Sequence, residues 1–422
     1  MTKQISYGKA YLAWAAVASF YFFQYVLRVF PNIMVLQVRA DYAMTAEQFS
    51  LLGAINLYAY AMFQVPLGII TDRVGIKKVV TWSIILCILG TYLLITTHNL
   101  YLAYASRFLT GLGSGCALMI ALKIVSDYLP VGRRGLLIGS TLTIGTIGPI
   151  IAGTSLVTFL KDNSWRDLLL IIDFMGLILL LITFLAVFDD QKKTEKFKLS
   201  DLHQTISSIK EIFKNKNILY YSLIAIGLYA PFSVMADLWA TDFLMKKYHL
   251  AQQDATSMSS ILYIGLGVGC LVLPLVAEKY NKIDLGVRLT IIGLLISFVI
   301  LLYGTEVKSY LLMPLLFFVG FFSGGEMICF TGASLNTNPK NSGLVIGMVN
   351  TFNMLGSAIA QQAVGLILDL KWSGTLNDKG LRYYSSKESV FALSFLLILI
   401  ILCMVLSIIK PKKITNELIN TP

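Results

Sequence analysis

Apolar residues fall along this chain in blocks of roughly twenty, each closed by charge or by clusters of glycine, proline and asparagine. The blocks predict helices near 11–35, 49–70, 79–97, 101–125, 136–159 and 168–188, then near 217–243, 257–277, 286–304, 310–334, 343–369 and 389–409. About twenty apolar residues at 1.5 Å rise each span the hydrocarbon layer of a bilayer, so each block is long enough to cross it. The longest hydrophilic stretch, 189–216, separates the first six blocks from the last six. The pattern therefore predicts an all-α integral membrane protein of twelve transmembrane helices. They divide into a bundle over 1–188, a cytoplasmic linker over 189–216 and a second bundle over 217–422.

Composition agrees. Of 422 residues, 56% are hydrophobic and 14% charged, against about 25% charged in soluble proteins. A soluble enzyme, a disulfide scaffold and a disordered chain are all disfavoured. The net charge of +11 is spread along the chain instead of gathered with aromatics on one patch, so no nucleic-acid partner is expected. Cys87, Cys116, Cys270, Cys329 and Cys403 all lie inside apolar blocks, with no CxxC pair and no nearby histidine. They read as packing residues, and neither a metal nor any other cofactor is expected. The first block carries Arg28 and lacks a convincing small-residue cleavage site, which makes it a span and not a signal peptide. Loops on the face shared with the termini carry 21 basic residues against ten on the other. That excess puts both termini in the cytoplasm of a bacterial-type inner membrane.

The fourth and fifth blocks resemble the tenth and eleventh. Tyr101, Leu102, Gly111, Ser114, Gly115 and Pro130 recur 209 positions on as Tyr310, Leu311, Gly320, Ser323, Gly324 and Pro339. After a one-residue deletion, Gly135, Gly139, Thr143 and Gly148 recur as Gly343, Gly347, Thr351 and Gly356. A parallel repeat of this length implies two bundles related by an axis along the membrane normal, with a solute path at their interface. Gly111, Gly115, Gly148, Gly320, Gly324 and Gly356, with Pro149, are expected to pack helices closely.

The loop after the second block reads Gly68-Ile-Ile-Thr-Asp72-Arg73-Val-Gly75-Ile-Lys77-Lys78. It is similar at every specified position to the G-x-x-x-D-R-x-G-x-[RK]-[RK] signature of the major facilitator superfamily. Arg107 with Gly111, Gly113 and Gly115, the pair Trp165-Arg166, and a looser glycine-proline pattern around Gly148 and Pro149 also resemble that family. In the second half, Pro274, Glu278, Lys279 and Asn281 replace Gly, Asp, Arg and Gly. The acid-base pair keeps its spacing, but the tight turn at Gly75 is not expected there. The resemblance implies alternating-access transport with spans 1, 4, 7 and 10 around a central cavity. It also implies that Asp72 faces the start of span 11 near Ser342 and Gly343. A carboxylate there would meet free amides and a positive helix end, and so act in conformational gating.

Ionisable groups at membrane depth each need a reason, because each costs about 2.5–3.5 kcal/mol on insertion scales. Arg28 suits bidentate capture of a carboxylate or phosphate, with Gln24 and Tyr25 on its own helical face; neutralisation by Asp237 is the competing reading. Arg107 is open between substrate or proton chemistry and structural pairing. Glu326 stands where the repeat has Ala117. A lone carboxylate introduced into one half only is expected to carry the coupled proton, with Asp237 as the second candidate. Asn353 adds an amide at the same interface, and Lys123 with Asp127 reads as a local i,i+4 pair. The expected function is proton-coupled uptake of a small organic anion or carboxylate-bearing zwitterion by a monomer in the lipid bilayer. The alternative is efflux of a drug-like or siderophore-like compound. With no Gly-x-Ser-x-Gly, HExxH or P-loop in the chain, neither an enzyme nor an ATP-driven pump is expected.

Overall fold

The computed structural model describes residues 5–153, 157–159, 163–188, 214–304, 309–337, 342–378 and 380–409. Most of the 189–216 linker therefore lies outside the described residues. The first half contains α1 (Tyr7–Ile33), α2 (Val35–Asp41), α3 (Ala46–Val74), α4 (Ile76–Thr96), α5 (Leu100–Ser114), α6 (Ala117–Tyr128), α7 (Arg134–Ile151), α8 (Val157–Phe159) and α9 (Trp165–Ala186). The second contains α10 (Lys216–Val234), α11 (Ala240–Tyr248), α12 (Gln252–Lys279), α13 (Ile283–Tyr303), α14 (Ser309–Ser323), α15 (Glu326–Ser334), α16 (Ser342–Leu370) and α17 (Ser386–Ile408). Among the described residues, ten helical segments are long and apolar enough to cross a membrane. The other two expected positions hold α3 and the shorter apolar stretch Leu136–Ile151. Large apolar side chains such as Trp82, Phe174, Leu185 and Ile398 are exposed on the outer surface, as lipid contact requires.

Local chemistry starts the helices where the sequence changes character. Thr45, Ser164 and Ser385 each close a capping box with Gln48, Asp167 and Glu388, while the Asn99 and Asn215 side chains accept the first free amides of α5 and α10. These contacts satisfy donors that a helix cannot satisfy internally.

Three spans expected to be continuous are interrupted. Span 4 breaks between Ser114 and Ala117, and span 10 breaks between Ser323 and Glu326. Those two breaks are 209 residues apart, so the repeat extends to the irregularity. Between α10 and α11, Met235–Trp239 forms a π-helical turn.

The repeat also extends to side-by-side packing. A Cβ on Gly111 would lie 2.2 Å from the carbonyl oxygen of Asn56, and one on Gly320 would lie 2.0 Å from that of Leu262. Only glycine permits backbones this close. Gly148, Gly324 and Gly356 are similarly tight against Phe22, Cys270 and Ile226, Gly115 is looser at 3.1 Å from Leu67, and Pro149 sits inside α7.

The link from α12 to α13 is built differently from the glycine turn at Gly75, which has φ +93° and ψ 153°, because Asn281 adopts φ +50° there. The Lys282 amide reaches the Ala277 carbonyl at 2.9 Å, closing the helix end. Asparagine is among the few residues other than glycine that enter the left-handed region readily.

Candidate binding site between the halves

Each half contributes to a buried polar centre. Arg28 on α1 reaches Asp237, on the π-helical turn, through Nε at 2.9 Å and Nη2 at 2.7 Å. Its Nη2 also donates to the Tyr229 hydroxyl at 2.9 Å and to Ser233 Oγ at 3.4 Å, and Nη1 lies 3.7 Å from Met354 Sδ. The Tyr25 and Tyr229 rings each stand 5.6 Å from the guanidinium. Asp237 accepts two further hydrogen bonds of 2.6 Å, from Ser233 Oγ and from Tyr263 OH. Its carboxylate thus has four donor contacts, three on Oδ2 and one on Oδ1. Arg28 is 6% exposed and Asp237 3%, so neither charge is dissolved in water. Gln24 is buried one turn before Arg28.

Glu326 is the first residue of α15, immediately after the break in span 10, and is buried. Its Oε2 accepts a close hydrogen bond from Asn353 Nδ2 on α16. Asn353 Oδ1 has no partner among the described residues. Among the described residues the acid has an amide as its hydrogen-bond partner and no ion-pair partner, unlike Asp237.

Arg107 is separate from this centre. Its Nη1 donates to the Leu27 carbonyl at 2.9 Å, its Nε to that of Leu52 at 3.3 Å, and its guanidinium covers the Phe30 ring. It ties α5 to α1 and α3, and among the described residues it has no carboxylate partner. Lys123 pairs with Asp127 at 3.4 Å.

The signature residues occupy the link between α3 and α4. Lys77 lies over the Phe184 ring and Lys78 is exposed, and a Cβ on Gly68 would meet only Met119. Arg73 is half-buried. The side chains of Asp72 and Ser342 lie outside what the structure describes. In the second half, Glu278 accepts from Thr331 Oγ1 at 2.9 Å, and Lys279 lies over the Tyr280 ring instead of pairing with it.

A second set of contacts joins the halves at the face away from the termini. Asp369, near the end of α16, accepts from the Glu47 amide at 2.8 Å and the Ala46 amide at 3.4 Å. The Tyr384 hydroxyl accepts from Ala46 at 3.0 Å and donates to Asp369, which Arg382 also contacts at 3.1 Å. Together with the Thr45 cap, every one of the first three amides of α3 has an acceptor. Deeper in, Asn32 bridges Ser259 and the Thr241 amide, and Trp239 donates to Ser50 at 3.1 Å. This face is closed. At the opposite end of α16, no atom of the described residues lies within 4 Å of a Cβ placed on Gly343 or Gly347.

Ser233, Tyr229, Tyr263, Asp369 and Tyr384 were not singled out from sequence. Tyr229 and Ser233 precede Asp237 by eight and four residues, a spacing that could have flagged them; Tyr263 and Tyr384 are brought in by tertiary packing alone.

A many-spanning helical membrane protein, duplicated and carrying a buried charge pair between its halves, is the architecture of a solute carrier. The sequence profile of the Major Facilitator Superfamily matches residues 13–361, and the chain belongs to that family of transporters. It is 24% identical over 289 residues to the probable nitrate transporter NarT of Staphylococcus epidermidis, covering 67% of this chain and 68% of that protein. It is also 24% identical over 306 residues to the sialic acid transporter NanX of Escherichia coli, covering 70% and 72%. Among solved structures, a bacterial homologue of the lysosomal transporter Spinster aligns over 96% of this chain and 97% of its own, with a TM-score of 0.76 at 13% identity. The nucleoside transporter NupG aligns over 94% and 99%, with a TM-score of 0.73 at 14% identity. At such identities the structural likeness establishes the fold. The protein is a multi-pass membrane transporter and not an enzyme.

Proposed function

We propose that this chain is a secondary active carrier for a small organic anion or carboxylate-bearing zwitterion, driven by protons and working as a monomer. The observation that carries the reading is the pair of unlike acids in one buried interior: Asp237 ion-paired with Arg28, and Glu326 hydrogen-bonded to Asn353 with no ion-pair partner among the described residues. Arg28 is the anchor for the solute carboxylate, with Gln24 and Tyr25 beside it. While the site is empty, Asp237 holds that cation. Asp237 is already engaged by Arg28, so Glu326 is assigned as the coupling acid, with Asp237 as the second candidate.

The bundles 1–188 and 217–422 rock about this centre, with Gly68, Asp72, Arg73, Gly75, Lys77, Lys78, Glu278 and Lys279 at the gating loops. The termini face the cytoplasm of a bacterial inner membrane, so the closed face described above is the outer one. The names of relatives that carry nitrate and sialic acid support an anionic group on the solute. A drug-like export substrate is the weaker reading, since Arg28 would then serve only to pair with Asp237.

The test is uptake into proteoliposomes under an imposed pH gradient, using a panel of labelled carboxylates and amino acids. Wild type is expected to accumulate its solute. Glu326→Gln is expected to lose accumulation yet retain counterflow exchange. Accumulation that survives the substitution sinks the assignment of Glu326, and absence of any counterflow across the panel sinks the carrier reading.

A further inference from the structure

Three polar side chains stand at helical spacing on one face of α16: Asn353, Ser357 and Gln361. All are buried. Each ends in an atom with no hydrogen-bond partner among the described residues, namely Asn353 Oδ1, Ser357 Oγ and Gln361 Oε1. Buried polar atoms are ordinarily paired, and three unpaired ones in a row on one helix face need an explanation. The amide orientation of Gln361 is fixed chemically, because its Nε2 donates to Ser233 O at 3.3 Å and to Ser233 Oγ at 3.2 Å. Its oxygen is therefore a genuine acceptor. That oxygen lies where a Cβ on Gly53 would come within 2.8 Å, so glycine in α3 leaves it room.

The ladder meets the ion pair at both ends. Met354, next to Asn353, touches Arg28 Nη1, and Ser233, bonded to Gln361, touches both Arg28 and Asp237. A solute carboxylate arriving at Arg28 must displace Asp237 from it. A plain anion would then leave two buried carboxylates sharing the single positive charge of Arg28, which is unfavourable. A solute that brings its own ammonium group conserves the charge balance. That group donates to Asp237 and to the oxygens of the ladder, which currently lack donors.

We infer that Asn353, Ser357 and Gln361 form the acceptor edge of the solute site and that the solute is an amino-acid-like zwitterion, its carboxylate on Arg28 and its ammonium on the ladder beside Asp237. This rests on the carrier reading above and narrows it.

Direct binding to the purified full-length protein tests it with three probe classes: α-amino acids with uncharged side chains, their N-acetyl derivatives, and the amines that remain when the carboxyl group is removed. The amino acids are expected to bind and both analogue classes to bind more weakly by roughly tenfold or more, as a site with unpaired polar groups discriminates. Ser357→Ala is the decisive variant, since its hydroxyl has no partner to lose. Its thermal stability without solute should equal or exceed wild type, while amino-acid affinity falls by about fivefold, the equivalent of one net hydrogen bond. N-acetyl derivatives binding as well as the parent amino acids would overturn the inference and leave an anion carrier. Unchanged affinity in Ser357→Ala would overturn the ladder. If none of the three classes binds, the inference falls, and proton-driven accumulation of other carboxylates decides separately whether the carrier reading survives.

Discussion

The carboxylate of Asp369 accepts the backbone amide of Glu47 at 2.8 Å, across the boundary between the two halves. It does for α3 what a capping residue does, but from another part of the chain, so the cap exists only while this face is shut. Asp369→Ala should lower stability by about 1–2 kcal/mol, the usual cost of a lost helix cap. It should also raise labelling of a Ser50→Cys reporter by a membrane-impermeant maleimide, since Ser50 is buried against Trp239 and Gly365. Unchanged labelling would mean that the remaining contacts close the face without Asp369.

Tyr384 supports the same contact from outside the spans. Burial, and then its hydrogen bond to Asp369, push the Tyr384 phenol up to about 12. A raised value means that its contribution is complete below the ordinary tyrosine range near 10 and fades as pH climbs through about 12. Tyr384→Phe should therefore cost about 1 kcal/mol, and the difference should stay flat from about pH 6 to about pH 9. Thermal unfolding of both proteins across that range is the check.

Arg107 should behave as a structural residue. Arg107→Lys loses the planar fork that reaches two carbonyls on different helices, and a drop in stability of roughly 2–3 kcal/mol follows. Solute selectivity, measured as the ratio of affinities for two competing solutes, should not change. A changed ratio would return Arg107 to the binding site.

The paired glycines offer a test of the repeat. Gly111→Ala and Gly320→Ala each place a methyl group against a backbone carbonyl that cannot step aside, so both should cost about 1–3 kcal/mol or more and reduce the yield of monodisperse protein. Gly347→Ala, whose methyl meets no atom of the described residues within 4 Å, should leave that yield unchanged. Equal behaviour of all three would contradict the packing.

Helix type and the approximate placement of the spans were legible because a bilayer imposes a single length and a single composition on every span. The repeat was legible because glycine is irreplaceable where Gly111 meets Asn56 and Gly320 meets Leu262. The interruptions at Gly115 and Gly324 were not, since the residues around a broken span are as apolar as those in an intact one. Of the polar centre, Arg28, Asp237, Glu326 and Asn353 stood out as charges or amides in apolar surroundings. Tyr263 and Ser357 did not, because tyrosine and serine are common in spans and their roles come from neighbours far off in sequence. The Asp369 cap was hidden for the same reason: its partners are backbone amides, which have no signature.

The π-helical turn at Met235–Trp239 has its own implication. A wide turn of this kind holds one residue more than an α-helix needs. Rewinding it would advance one flank of span 7 by a single register step, about 100° of rotation and 1.5 Å of travel. Asp237 lies in the middle of that turn, so any such rewinding would swing its carboxylate about the helix axis and away from the arginine it now holds.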